Sequence, residues 1–114
     1  MTLTVHRVSE SVSVAGQLAP ESMAEAAAAG FRSVINNRPD FEGGPTQPTS
    51  ASMETAARAA GLEYSFLPVA GNFQSEAEIA RFLELMRSMP SPVLAFCRSG
   101  ARSARLFQAA SSQA

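Results

Sequence analysis

The residues with the clearest chemical potential lie in one stretch near the end of the chain, PVLAFCRSGARS at 92–103. It contains the only cysteine, Cys97, between an apolar run and a polar turn that holds one glycine and two arginines. A cysteine thiolate is a strong nucleophile, and its environment decides whether it ionises. The stretch is therefore compatible with a buried core thiol or with the nucleophile of an anion-binding loop.

The second alternative follows if Cys97 ends a strand and a helix begins just beyond it. Backbone N–H groups of residues 98–102 then point inward as an anion nest, and the helix start adds a positive partial charge. Arg102 can bind two oxygens of a tetrahedral anion at once. We therefore predict Cys97 and Arg102 as catalytic residues. The candidates for anion binding are Arg98, Ser99, Gly100, Ala101, Ser103 and Arg38.

Several of these residues have a second interpretation. Arg38, in the NNRPD turn, is either a further anion contact or a salt-bridge partner that pins its loop. Asp40, the only aspartate, is a candidate general acid or simply a turn residue. The hydroxyls of Ser99 and Ser103 can hydrogen-bond Cys97 or cap the last helix, and we expect capping for Ser103.

The rest of the chain predicts the elements that position these residues. Apolar alternation predicts strand at 3–8 and 11–15, and a helix follows from Pro20 to Gly30. Further strands are predicted at 31–36, 62–69 and 93–96, and further helices at 50–60, from Ser75 and at 103–110. Ser75 and Glu78 have the spacing of a capping box.

Strands that alternate with helices predict an α/β fold: a single domain over 1–114 with a central, mostly parallel sheet flanked by helices. Sites in such sheets form outside the carboxyl ends of the strands. We therefore expect the loops at 37–49, 70–74 and 97–102 to share one edge.

Composition excludes several other classes of function. A net charge of −1 gives no broad basic surface for nucleic acid or an anionic membrane, although all nine basic residues are arginine. One cysteine excludes an internal disulfide and a CxxC pair, and a single histidine, His6, excludes a His-rich metal site. We expect neither metal nor cofactor. The N-terminus lacks a signal-peptide pattern, so we expect a cytoplasmic protein that does not enter a membrane.

Four segments in order resemble the bacterial beta-lactamase hydrolase-like, phosphatase-like domain family: SVSVAGQLAPE, AAAAGFRSVINNRPDFEG, LEYSFLPV and PVLAFCRSGARSA. The resemblance covers nearly the whole chain. It implies a cysteine-phosphatase-like α/β fold. Some members of the family are sulfurtransferases, often beside enzymes that handle persulfides.

The active loop separates sulfur from phosphorus chemistry. Tyrosine and dual-specificity phosphatases have five residues between cysteine and arginine, whereas only four separate Cys97 from Arg102. The loop therefore resembles the six-residue loop of rhodanese-type sulfurtransferases. The loop at 70–74, where such phosphatases carry their acid, has no carboxylate.

These observations predict a sulfurtransferase that carries sulfane sulfur as a persulfide on Cys97. The expected partners are a small anionic donor such as thiosulfate or a small persulfide, and an external thiol acceptor, because the chain has no second cysteine. A cysteine-dependent phosphatase and a non-catalytic persulfide or redox sensor are the alternatives. The part of the chain after the cysteine loop is short for this kind of fold, so a second subunit could cover the exposed face of the sheet. A homo-oligomer is therefore a further expected partner arrangement.

Overall fold

The computed structural model describes residues 3–113, which form five strands and four helices. In chain order the elements are β1 (His6–Arg7), β2 (Val12–Ala15), α1 (Ser22–Ala28), β3 (Ser33–Asn36), α2 (Ser50–Ala59), β4 (Glu63–Phe66), α3 (Glu76–Ser88), β5 (Val93–Phe96) and α4 (Ala101–Gln113). The predicted α/β fold and the alternation of helices and strands from residue 20 are confirmed.

The strands form one sheet in the order β1-β2-β5-β3-β4. All neighbours are parallel except β1, which lies antiparallel along the edge of β2. In register, Phe96 of β5 lies opposite Ala15 of β2 and Asn36 of β3, and Asn36 lies opposite Phe66 of β4. The four parallel strands therefore end level, and their following loops start from one edge.

The sheet has an apolar core on each face because side chains alternate along a strand. In β5, Leu94 and Phe96 belong to one core, and Val93 and Ala95 belong to the other. The first core includes residues of α1 and α2, and the second includes residues of α3 and α4. Helices thus cover both faces, as the sequence predicts.

Helix boundaries depend on local signals. The capping box is present: Ser75 Oγ accepts from Glu78 N at 3.1 Å, and Glu78 Oε1 accepts from Ser75 N at 2.8 Å. The predicted start of the last helix at Ser103 is wrong. The chain turns at Gly100, which has a φ of 94°, and α4 begins immediately at Ala101. Ser103 therefore lies within the first turn and is not the cap.

Between residues 3 and 113, no helix combines the length and the apolar character that crossing a membrane requires. Over the same range, no three His, Cys, Asp or Glu side chains cluster in a way that could hold a metal ion.

Candidate active site

The loops that follow the parallel strands meet at the carboxyl edge of the sheet. Arg102, at the end of the cysteine loop, contacts the other two predicted loops or their ends: its Nη2 donates to Glu42 Oε1 at 3.0 Å, and its Nη1 donates to Val69 O, just before the loop at 70–74, at 2.9 Å. The segment after β2 joins them, because Gln17 N donates to Arg98 O at 3.1 Å. No pattern in the sequence indicates that this fourth segment reaches the site.

Cys97 is the first residue after β5 and is 1% exposed. Gly100 N donates to Cys97 Sγ at 3.0 Å. Burial raises the pKa of the Cys97 thiol, but hydrogen bonds from the backbone and hydroxyl of Ser103 and from the backbone of Ser99 and Gly100 outweigh it. The pKa of Cys97 therefore lies below its ordinary value, so the thiolate forms at a lower pH than in a free cysteine.

Ser103 joins the thiol to the end of β3. Its hydroxyl donates to Asn37 Oδ1 at 2.9 Å, and Asn37 Nδ2 donates to Leu67 O at 3.0 Å, which fixes the orientation of the amide. A hydroxyl has one proton, and the Ser103 hydroxyl is also close enough to donate to Cys97. The Ser103 hydroxyl therefore lies between the Asn37 amide oxygen, to which it donates in the structure, and the sulfur of Cys97.

Arg102 lies beside the cysteine loop in the first turn of α4 and is 7% exposed. Besides its bond to Val69 O, its Nη2 donates to Glu42 Oε1 at 3.0 Å. Its Nε is buried and has no hydrogen-bond partner among residues 3–113. A Cβ at Gly71 would lie 3.0 Å from Nη2, so glycine leaves room for the guanidinium. Of the guanidinium nitrogens of Arg102, Nε is therefore the one that could donate to a further acceptor.

Glu42 is a site residue that the sequence analysis missed. Its Oε1 accepts from Arg38 Nε at 2.9 Å as well as from Arg102. Burial raises the pKa of Glu42, but hydrogen bonds and charge from both arginines lower it more, so it lies below the ordinary value. Arg38 Nη1 also donates to Gln17 Oε1 at 3.0 Å. Arg38 thus pins its loop by a salt bridge and still faces the site.

The structure places Asp40 away from this cluster. Its Oδ1 accepts from Ser50 N at 2.7 Å, at the first residue of α2. A carboxylate in that position satisfies a free N–H of the helix and interacts favourably with the helix dipole. This contact gives Asp40 a structural role, and nothing in its geometry directs it towards Cys97.

A cleft of about 550 Å³ lies over the site and is lined by Arg38, Glu42, Gly43, Arg98 and Arg102. Cys97 does not line it, which agrees with the burial of its side chain. A separate cleft of about 490 Å³ lies on the other side of the loop and includes Ser99, Gly100 and Ala101. Of the predicted anion-binding residues, only Arg38 and Arg98 join Arg102 in the cationic cleft.

Comparison with known proteins identifies one family. The model of the family described as beta-lactamase hydrolase-like protein, phosphatase-like domain, matches residues 4–114. A beta-lactamase hydrolase-like protein of Agrobacterium fabrum is 40% identical over 101 residues, 89% of this chain and 23% of that protein. One from Xylella fastidiosa is 38% identical over 100 residues, 88% of this chain and 23% of the relative. The chain thus spans about a quarter of the length of these relatives.

Solved structures with the same fold are phosphatase-like. A crystal structure from Neisseria meningitidis, provisionally described as a phosphatase, matches with a TM-score of 0.85 and 27% identity. The match covers 93% of this chain and 75% of the Neisseria chain. A Shewanella putrefaciens structure with the same provisional description has a TM-score of 0.77 and 17% identity, over 93% and 66%. The catalytic domain of the S. cerevisiae PP-IP phosphatase SIW14 has a TM-score of 0.65 and 12% identity, over 87% and 60%.

Proposed function

This chain belongs to the beta-lactamase hydrolase-like, phosphatase-like domain family, and we propose that it is an enzyme that transfers sulfane sulfur through Cys97. The fold and the lowered pKa of Cys97 support thiolate chemistry in general. The choice of sulfur rests chiefly on one further observation, the contacts made by the two carboxylates on the loop at 37–49.

The two carboxylates on the loop at 37–49 are both held by other contacts. Asp40 accepts from the start of α2, and Glu42 accepts from two guanidinium groups that lower its pKa. A phosphate ester needs an acid to protonate its leaving oxygen, and such an acid works best with a pKa near the working pH. A lowered pKa makes Glu42 a poor acid, so this site favours a leaving group that needs no proton.

Sulfur transfer meets that requirement in two steps. The Cys97 thiolate attacks the outer sulfur of thiosulfate, an S–S bond forms to Cys97, and sulfite leaves with the electron pair of the broken S–S bond. The thiolate of an external acceptor then attacks the outer sulfur and releases the Cys97 thiolate and an acceptor persulfide. Arg102, with Arg98 and Arg38, holds the anionic end of the donor.

The dimensions of the loop support the same choice. Four residues separate Cys97 from Arg102, and the cysteine is almost fully buried. A terminal sulfur atom can be approached end-on and transferred as one atom. A phosphoryl group needs room for three oxygens around the phosphorus and in-line space for its leaving group. The short loop therefore favours transfer of a single sulfur atom over transfer of a phosphoryl group.

A cysteine-dependent phosphatase is the second candidate, because the comparisons favour it. The Neisseria structure is provisionally described as a phosphatase and is 27% identical to this chain. Hydrolysis would form phosphocysteine at Cys97, with the arginines on the phosphate oxygens. An acid from outside the cluster described above, or an activated leaving group, would then be needed.

Mass spectrometry separates the two candidates. We expect thiosulfate to add one sulfur atom to Cys97 in the native protein and none in Cys97→Ser. Turnover of p-nitrophenyl phosphate that vanadate inhibits, without persulfide formation, would replace sulfur transfer by phosphatase chemistry. Absence of both signals would reject both activities and leave the non-catalytic sensor that the sequence analysis retained.

A further inference from the structure

The arrangement of Glu42 suggests a role that the reaction itself does not require. One oxygen of its carboxylate lies 2.9 Å from Arg38 Nε and 3.0 Å from Arg102 Nη2. Carboxylates and tetrahedral anions bind guanidinium groups by the same charge-assisted hydrogen bonds. The chain therefore places one of its own anions on the cationic groups proposed to bind the substrate.

We propose that Glu42 is an internal competitor for the anion site, and that a substrate anion must displace its carboxylate from Arg102 and Arg38. This inference deepens the proposed function, because only an anion that binds the two arginines better than the Glu42 carboxylate does can occupy the substrate site. It rests on anion binding at Arg102, and it holds whether Cys97 carries sulfur or phosphorus.

Arg102 shows that the site can hold more than Glu42. Its Nε is buried and unpaired among the described residues, although a neighbouring nitrogen of the same group binds Glu42. A buried donor without an acceptor destabilises the folded protein, because the donor has lost water and gained no partner. An incoming anion that takes both Nε and Nη2 would satisfy the unpaired donor, which Glu42 does not do.

Glu42 is also the most exposed member of the cluster. Its side chain is 29% exposed, compared with 10% for Arg38 and 8% for Arg102. The backbone around it is held, because Gly43 N donates to Gln47 Oε1 at 2.7 Å and Gln47 Nε2 donates to Pro39 O at 2.9 Å. Displacement therefore needs only rotation of the Glu42 side chain into the cleft, with the loop unchanged.

Displacement of Glu42 and simple charge repulsion by Glu42 predict different effects on the dissociation constants of anions. If the open site is a small fraction of the population, every anion that displaces Glu42 has its dissociation constant raised by the same factor. A carboxylate that stayed in place would instead weaken binding by charge repulsion, and the effect would grow with the charge of the ligand. A monoanion and a dianion of similar size distinguish these two cases.

The test uses tungstate as the dianion and perrhenate as the monoanion, titrated calorimetrically into full-length Cys97→Ser protein at pH 8. Glu42→Gln in that background should tighten both anions by a similar factor, about tenfold, because charge-assisted bonds to two arginines are lost. Glu42→Ala should act in the same direction, since it removes the remaining amide acceptor. Glu54→Gln is the matched control, because Glu54 forms a surface pair with Arg58 on α2.

Three results would overturn the proposal. Weaker binding in Glu42→Gln would make Glu42 a residue that orients Arg102. Tightening confined largely to tungstate would show a carboxylate that repels without leaving. No binding of either anion in any variant would mean that Arg102 forms no anion site for Glu42 to occupy. Persulfide formation on the native protein is measured separately, so failure of the proposed reaction is distinguishable.

Discussion

At the scale of single residues, the ionisation of Cys97 depends on its hydrogen-bond donors. Ser103 contributes a backbone N–H and a hydroxyl, and both oppose the effect of burial. Ser103→Ala removes the hydroxyl alone, so we expect a higher pKa for Cys97. The rate of alkylation by iodoacetamide as a function of pH measures this change.

Ser99→Ala is the matched control for that experiment. The Ser99 hydroxyl accepts from Ala101 N at 3.4 Å, whereas its contribution to Cys97 comes from the backbone, which alanine retains. We therefore expect the titration of Cys97 in Ser99→Ala to match that of the native protein. An equal shift in both variants would show that the hydroxyl of Ser103 has no specific effect on the thiol.

The direction of the pKa shift also sets the pH dependence of the reaction. Since the folded pKa of Cys97 lies below its ordinary value, the thiolate is present at lower pH than in a free cysteine. Persulfide formation from thiosulfate should rise with pH through this lowered pKa and then level off. Its midpoint should coincide with that of alkylation and move up in Ser103→Ala. A rate that is independent of pH across the Cys97 titration would contradict thiolate attack.

Arg102 is expected to need its planar, bidentate shape as well as its charge. Lysine keeps the charge but cannot serve Val69 O, Glu42 and a bound anion together. Arg102→Lys should lower kcat/KM on the order of 100-fold, as the loss of a transition-state donor does. Steady-state kinetics with thiosulfate test this, and Arg58→Lys on the surface of α2 is the control. Activity close to native would remove Arg102 from the mechanism.

At the scale of elements, the sequence predicts what local patterns encode. The capping box, the glycine that ends α1 and the apolar strand before Cys97 each depend on residues close together in sequence, and each is present. The sequence predicts the start of α4 two residues too late, because Ser103 is a residue type that caps helices and nothing local marks Ala101 as the first helical residue. Local patterns therefore fix element types better than their ends.

The same reasoning explains which site residues were missed. Glu42, Gln17 and Asn37 lie in loops, where no periodicity indicates the direction of a side chain. Glu42 contacts Arg102, 60 positions away, only because β3 and β5 are neighbours in the sheet. Cys97 and Arg102 were identifiable because a strand, a glycine and a helix enclose them within six residues. Long-range contacts between loops need the three-dimensional arrangement.

The capping box of α3 gives a prediction about stability. Ser75→Ala removes the acceptor for Glu78 N, so we expect a loss of about 1 kcal/mol in the free energy of unfolding. Urea denaturation followed by circular dichroism measures it. Ser88→Ala, at the exposed last residue of the same helix, should stay within about 0.5 kcal/mol of the native protein. Equal effects of both substitutions would contradict a specific contribution from the box.

At the scale of the whole molecule, the strand order explains where the site forms. β5 lies between β2 and β3, so the cysteine loop has the loops after both neighbours beside it. The loop after β2 supplies Gln17 and the loop after β3 supplies Arg38 and Glu42. A chain with a net charge of −1 thus concentrates three arginines in one cleft. The cleft is cationic because the fold brings these arginines together, although the chain as a whole has no excess of basic residues.

The central sheet also couples the two cores, because every buried strand contributes side chains to both. Met53 of α2 and Leu106 of α4 lie on opposite faces, and each is 0% exposed. Met53→Ala and Leu106→Ala should each lower the free energy of unfolding by about 2–5 kcal/mol through lost burial and a residual cavity.

The only tyrosine, Tyr64, belongs to the core on the Met53 face. Its fluorescence and the far-ultraviolet circular dichroism should nevertheless report one shared urea midpoint in both variants, since loss of either core exposes the sheet that supports the other. If Leu106→Ala shifted the dichroism transition and left the Tyr64 transition in place, the two faces would unfold independently. The anion site, which depends on loops held at the ends of strands shared by both faces, would then have to be explained by one half of the molecule alone.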